Sequence, residues 1–274
     1  MAKSFDESEF EASRSGNFGD LLQGRDYLFF LLDNLDWDSQ LSAVRMMIAR
    51  NRHAEEAFSK AIERDEEEVQ AYRGPHHHHY VDQHTDMLHE SVFRDAAESM
   101  AAIGMIAPMV ESTLGQSLAA LGEMYTRKNL TPPEHKRWKR AKSNPARWNC
   151  QIYFNDKGEA KSNILEGFPQ LAAASGLEPF LSPGFHAWFK AMFTYRNFMF
   201  HGGFEWSLER RAAFKEAIEK NGWDLFTCSK SGGEPWAFYI TNEAINQMPT
   251  MVENMLDSLA QFAKSLPFEL ISDP

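Results

Sequence analysis

The sequence predicts a mainly α-helical protein with a small β element. Three observations carry that prediction. Apolar residues recur at spacings of three and four through most of the 274-residue chain. Hydrophobic residues make up 43% and charged residues 24%, an ordinary folded composition. Strand-like segments are short and sit beside turn residues, above all around SGGEP at 231–235.

The elements follow in order. Residues 1–17 mix Ser, Gly, Glu and Asp without helical period and read as a loose tail. From Arg25 onward Leu28, Leu31, Leu32 and Leu35 repeat at helical spacing. A second segment runs over 39–72, with Leu41, Val44, Met47 and Ile48 apolar and AEEAFSKAIERDEEEVQ facing water; Gly74-Pro75 stops it. The stretch 18–73 is thus an N-terminal helical extension. Segments 81–107 and 109–128, rich in Ala, Gly and Met, read as one long helix broken near Pro108 or as two. Over 129–181 the signals weaken to a basic, irregular connection. Within it 150–154 reads as a short strand before Asn155, Asp156 and Gly158, and 164–174 as a short helix. Ser182-Pro183 supplies a cap and a first-turn proline for a helix running to His201 and ending at Gly202-Gly203. A helix over 208–220, a β-hairpin from 225–229 and 236–241, and a helix from Asn242 to Leu266 complete the chain. That last helix carries Ile245, Met248, Val252, Met255, Leu256 and Leu259 on one face. No linker forces a boundary, so 18–274 reads as a single domain.

Composition excludes several functions. A net charge of −11 argues against a general nucleic-acid coat protein and confines any such contact to a local patch. Cys150 and Cys228 stand far apart with no CxxC, so neither a disulfide framework nor a cysteine zinc site is expected. The longest apolar run, 100–110, is too short for a bilayer, and the acidic start lacks a signal region; the expectation is a cytoplasmic protein without a membrane partner. No P-loop, GxGxxG or GxSxG is present, and no cofactor is expected.

The most informative stretch is PGFHAWFKAMFTYRNFMFHGG. Projected at ~100° per residue, Phe185, Phe189, Met192, Phe193, Met199 and Phe200 fall within about 60° of Arg196. A guanidinium inside an apolar stripe needs a carboxylate or carbonyl partner, or must face a cleft or interface. Asn197 and His201, four apart, lie together on the flank of the stripe. His201 also stands at the negative end of the helix dipole, a setting that suits a cation. A cation, an amide and an imidazole together suit an anionic substrate.

Arg196-Asn197-Phe198-Met199-Phe200-His201, followed by Gly202, resembles the R-x4–6-H motif of HEPN domains, including the polar residue directly after the Arg. The resemblance covers the motif, its helix and a bundle drawn from 80–128 and 182–266, roughly half of the chain. It implies an α-helical bundle and a metal-independent endoribonuclease site completed by two motifs at a homodimer interface, with toxin–antitoxin or defence systems as settings and a protein antitoxin among the partners. By that resemblance His201 acts on the RNA 2′-hydroxyl or the leaving 5′-oxygen, Arg196 stabilises charge on the phosphate, and Asn197 orients the pair. The alternative is that Arg196 pairs with a core carboxylate, His201 ends a helix, and the protein is a non-catalytic RNA- or protein-binding module.

Two further clusters stand out. From Arg127 to Arg147 there are eight Lys or Arg residues against one acid, Glu134. Lys136, Arg137, Trp138, Lys139, Arg140 and Lys142 form the expected RNA-binding segment, joining cations to an aromatic face. A solvated loop pairing with acidic helix residues is the competing reading. Six of the ten histidines fall between His76 and His89. With no HExxH or HxxxH, the run reads as a flexible loop and helix start; the lesser alternative is a metal-dependent hydrolase binding zinc, nickel or iron through His76, His77, His78 and His79.

Overall fold

A computed structural model describes residues 22, 24–32 and 36–271. The tail expected over 1–17, and Leu35, lie outside the described residues. The described chain is mainly helical with two small antiparallel sheets, as the sequence predicts. Its helices are α1 (Trp37–Ala71), α2 (His77–Arg127), α3 (Lys136–Ala141), α4 (Ile164–Ser175), α5 (Phe185–Gly202), α6 (Leu208–Asn221), α7 (Asn242–Ser265) and α8 (Phe268–Ile271). The strands are β1 (Ile152–Phe154), β2 (Ala160–Ser162), β3 (Phe226–Ser231) and β4 (Glu234–Ile240).

The stretch read as one domain forms two compact units. One draws on the chain up to Leu35, on Ser112–Pro183 and on the chain from Glu253; the other on Asp36–Glu111 and Gly184–Val252. Two of the four boundaries, 111/112 and 252/253, fall inside α2 and α7, where no linker can mark them.

In the first unit, Leu114, Leu118 and Leu121 of α2 and Met255, Leu256 and Leu259 of α7 are buried. A 3₁₀ turn over Gly24–Phe30 buries Leu28, and Arg25 Nε donates to Asp257 Oδ1 at 2.6 Å. The 129–181 connection carries α3, β1, β2, α4 and two 3₁₀ turns, Pro145–Trp148 and Glu178–Phe180. β1 pairs with β2 from Ile152↔Ser162 to Phe154↔Ala160. α4 starts at Asn163, whose side chain accepts from Leu165 N, and stops at Gly176, which holds the left-handed φ of 84°. Gly167 packs so tightly against the Cys150 carbonyl that a β-carbon there would overlap it.

In the second unit, α1 opens on Asp36, which accepts from Ser39 N. It buries only Leu41, Val44, Ile48 and Asp65, so most of its 35 residues are solvated. Met47, expected on the apolar side, is 39% exposed because it follows Val44 by three positions yet lies beyond the edge of that narrow stripe. α2 is one unbroken helix of 51 residues. Pro108 forfeits one backbone bond but faces water, while Ile103, Ile106, Ala107 and Val110 around it are fully buried and hold the helix on course. Tyr195, Phe214, Phe226 and Phe238 build an aromatic core with Trp206, with ring centroids 5.0–6.2 Å apart. The β3–β4 ladder runs from Phe226↔Ile240 to Ser231↔Glu234, with an irregularity at Ser229/Lys230. It turns at Gly232 and Gly233, both at positive φ as a tight two-residue hairpin requires.

Candidate functional site

The helix with the motif is fixed at both ends. Its N-terminus is not capped by Ser182: Gly184 occupies the cap with φ 82°, and α5 begins at Phe185. Phe185, Phe189, Met192, Phe193 and Met199 are buried as the projection requires. Phe200 is not; it is half exposed, because the last turn of α5 runs past the edge of the core, where Phe204 and Leu208 are exposed too. Tyr195 Oη donates to Phe238 O at 3.0 Å, and burial pushes its phenol well above the ordinary range. At the C-terminus, Gly203 donates to Met199 O at 2.8 Å, Trp206 Nε1 to Gly203 O at 2.9 Å, and Arg210 Nη2 to Phe198 O at 2.9 Å. These bonds absorb carbonyls that a helix end leaves open.

Arg196 has the carboxylate partner its position demands. Its Nη1 lies 3.4 Å from Glu111 Oε2, and its guanidinium carbon lies 5.7 Å from the Phe193 ring centroid. Asn197 and His201 are exposed and share a shallow concavity of about 650 Å³ with Phe198, Glu209, Arg210 and Ala213. Arg196 is not part of that lining. The structure therefore brings together the amide and the imidazole of the expected trio, sets the arginine against Glu111, and adds Arg210, which sequence reasoning missed. A signal for Arg210 was present: Gly202-Gly203 followed within a few residues by the Ser207 cap implies a tight reversal that returns the first turn of α6 to the end of α5.

The basic segment is more structural than expected. Arg137 is a correction: it is fully buried, not at the surface. Its guanidinium donates to Arg147 O, Ile152 O, Asn149 O and Gln170 Oε1 at 2.8–3.0 Å, so its planar fork organises the surrounding loop. Burial pulls it down to about 10, still charged at neutral pH. Arg140 is half-buried and bound to Asp156, and Lys139 pairs with Glu134 at 2.6 Å in full exposure to solvent. Trp138 packs at a tilt against Trp148, with ring centroids 4.6 Å apart, and its Nε1 donates to Pro133 O. Lys136 and Lys142 are exposed, with no ion pair among the described residues. Burial, then the nearby Lys136, Arg137 and Arg140, lower His135.

The histidine run holds the expected helix start and little loop. His76 lies in a turn, and His77–His79 form the first turn of α2. His84 pairs with the buried Asp65 at 2.9 Å, and His89 packs edge-on against Trp236. Among the described residues no group of three or more His, Cys, Asp or Glu side chains is arranged to hold a metal ion. No helix among them is long and apolar enough to cross a membrane.

One cluster had no signal in the sequence. Glu55, Asp95, Thr227, Tyr239, Ile240, Thr241 and Asn242 line a cavity of about 250 Å³. Burial first and the Glu55 carboxylate second raise Asp95 to about 6 and neighbouring Glu98 to about 7. Asn242 Nδ2 donates to both Glu55 oxygens at 3.1 Å. Comparison with family models, curated proteins and solved structures returns no match.

Proposed function

We propose that this chain is a HEPN-like endoribonuclease that cleaves RNA without a metal at the end of α5, in the cytoplasm and as a homodimer. The observation that supports it is the concavity where Asn197 and His201 stand exposed together beside a cation, Arg210. An imidazole and an amide on one wall suit proton transfer at a scissile phosphate. In the reaction the RNA 2′-oxygen attacks phosphorus and loses its proton, the bond from phosphorus to the 5′-oxygen breaks, and that oxygen gains a proton. The products are a 2′,3′-cyclic phosphate and a 5′-hydroxyl. His201 moves the proton, and Asn197 orients the reacting groups. Arg196 reaches the phosphate only by exchanging Glu111 for it. Lys136 and Lys142 offer nonspecific contacts to the RNA backbone.

The test is RNA cleavage in excess EDTA by wild type, Arg196→Ala and His201→Ala. Cleavage that survives EDTA and vanishes in both variants supports the proposal. Absence of cleavage in the wild type, or equal trace cleavage in all three, refutes it. The Arg196–Glu111 pair favours a second reading, a non-catalytic binding module in which Arg196 is structural. That reading expects Arg196→Ala to lower the melting temperature while RNA remains intact with every form.

A further inference from the structure

The end of α5 holds two arginines in opposite electrostatic situations. Arg196 faces Glu111 and lies outside the lining of the concavity. Arg210 lines it, and among the described residues no carboxylate is within ion-pair distance of its guanidinium. Its only hydrogen bond there is from Nη2 to Phe198 O, and Nε is buried without an acceptor. A guanidinium carries five N–H donors, so most of this group's capacity is unspent. A half-buried cation with unspent donors is the kind of group that an anionic ligand satisfies.

Local structure holds Arg210 in place. Ser207 caps α6 and accepts from Arg210 N at 3.4 Å. The guanidinium lies over the Phe198 ring, 5.1 Å from its centroid. A β-carbon on Gly202 would come within 3.0 Å of Trp206 Cδ1 and 3.2 Å of Arg210 Cζ, so the missing side chain at 202 lets the cation approach the end of α5. The one acid on the rim is Glu209. Its repulsion offsets part of the attraction that Arg210 exerts on an anion.

We infer that Arg210 is the cation that receives an RNA phosphodiester beside Asn197 and His201, and that Arg196, held by Glu111, is a positioning residue. This rests on the reading of the end of α5 as an RNA site, and it assigns the phosphate contact to a residue outside the motif. The probe is dimethyl phosphate, a singly charged diester, titrated into the full-length protein while the His201 ring and Asn197 side-chain amide resonances are followed by NMR. Wild type shows saturable shifts at both. Arg210→Gln weakens binding about tenfold or more, the loss expected for a hydrogen bond to a charged group. Arg210→Lys is intermediate, Glu209→Gln binds about two- to threefold tighter, and Glu111→Gln leaves affinity unchanged. Arg210→Gln keeps a donor for Phe198 O, and an unaltered backbone amide spectrum shows that the fold is intact.

Absence of shifts in wild type, or wild-type affinity in a folded Arg210→Gln, overturns the inference. Tighter binding in Glu111→Gln overturns it in favour of Arg196. A protein that binds dimethyl phosphate through Arg210 and cleaves no RNA upholds the inference and refutes the nuclease reading. One that cleaves RNA equally well with Arg210→Gln refutes the inference alone.

Discussion

Replacing Arg137 by methionine removes a buried cation of similar length and every donor it carries. Arg147 O and Ile152 O then lose the guanidinium as a partner, Asn149 O keeps only its bond from Ile152 N, and Gln170 Oε1 keeps only its bond from Phe154 N. A buried acceptor stripped of its donor costs about 1–3 kcal/mol, so two carbonyls set a loss of roughly 2–6 kcal/mol. Removing the charge relieves the desolvation of a guanidinium that has no carboxylate partner, and this offsets part of the loss. The net expectation is about 2–3 kcal/mol, a large share of a typical stability of roughly 5–15 kcal/mol. Urea unfolding followed by tryptophan fluorescence and far-UV circular dichroism measures it, since Trp138 and Trp148 pack against each other beside this loop. Arg137→Lys should fall between, because one ammonium has three donors and no planar fork to serve four separated acceptors. A methionine variant within about 1 kcal/mol of wild type would falsify the view that this guanidinium organises the connection.

The remaining expectations concern other parts of the molecule. Asp95 and Glu98, raised by burial and then by Glu55, retain protons in the folded state that the unfolded chain releases near pH 4–4.5. Stability is therefore greatest below that range and falls as pH rises through about 6–7, by about 2 kcal/mol after allowing for solvent screening. The melting temperature should drop across this window, and Glu55→Gln should flatten the slope; a rise with pH would contradict the assignment. Gly167→Ala forces a β-carbon into the Cys150 carbonyl and should cost about 3 kcal/mol in urea unfolding, whereas an unchanged midpoint would mean that the backbone yields freely. Gly202→Ala crowds Arg210 and should weaken dimethyl phosphate binding with a smaller effect on stability; unaltered binding would show that the close approach is unimportant.

Helix positions were legible because the evidence for them is local. The stop at Gly202-Gly203 and the apolar face of α7 are both set by neighbours in sequence. What escaped depends on partners far away in the chain. Arg137 looks like one more cation in a basic run, and only folding collects its acceptors from 147, 149, 152 and 170. The Glu55, Asp95 and Glu98 cluster joins α1 to α2 across about forty positions, with no spacing to reveal it. Gly232-Gly233 announced the hairpin, yet the register irregularity at Ser229/Lys230 had no turn signal of its own.

The candidate site shows the same division. Projection of α5 placed Arg196 in an apolar stripe and required a partner, and Glu111 meets that requirement from another helix. Satisfying the requirement changes what the residue can do: a guanidinium already facing a carboxylate must give up that pair before it can stabilise a phosphate, whereas one without a countercharge has nothing to exchange. By that criterion the chemistry of the concavity depends on charge balance as much as on motif spacing. Arg210 has no carboxylate within ion-pair distance among the described residues, Glu209 on the rim offsets part of its pull on an anion, and the exposed Asn197 and His201 supply the amide and the imidazole. Exchanging the two countercharge environments is thus the decisive perturbation. Glu111→Gln should leave Arg196 with its apolar packing and lose only the ion pair, and whether that change brings Arg196 to the anion separates a motif that acts directly from one that positions its neighbours.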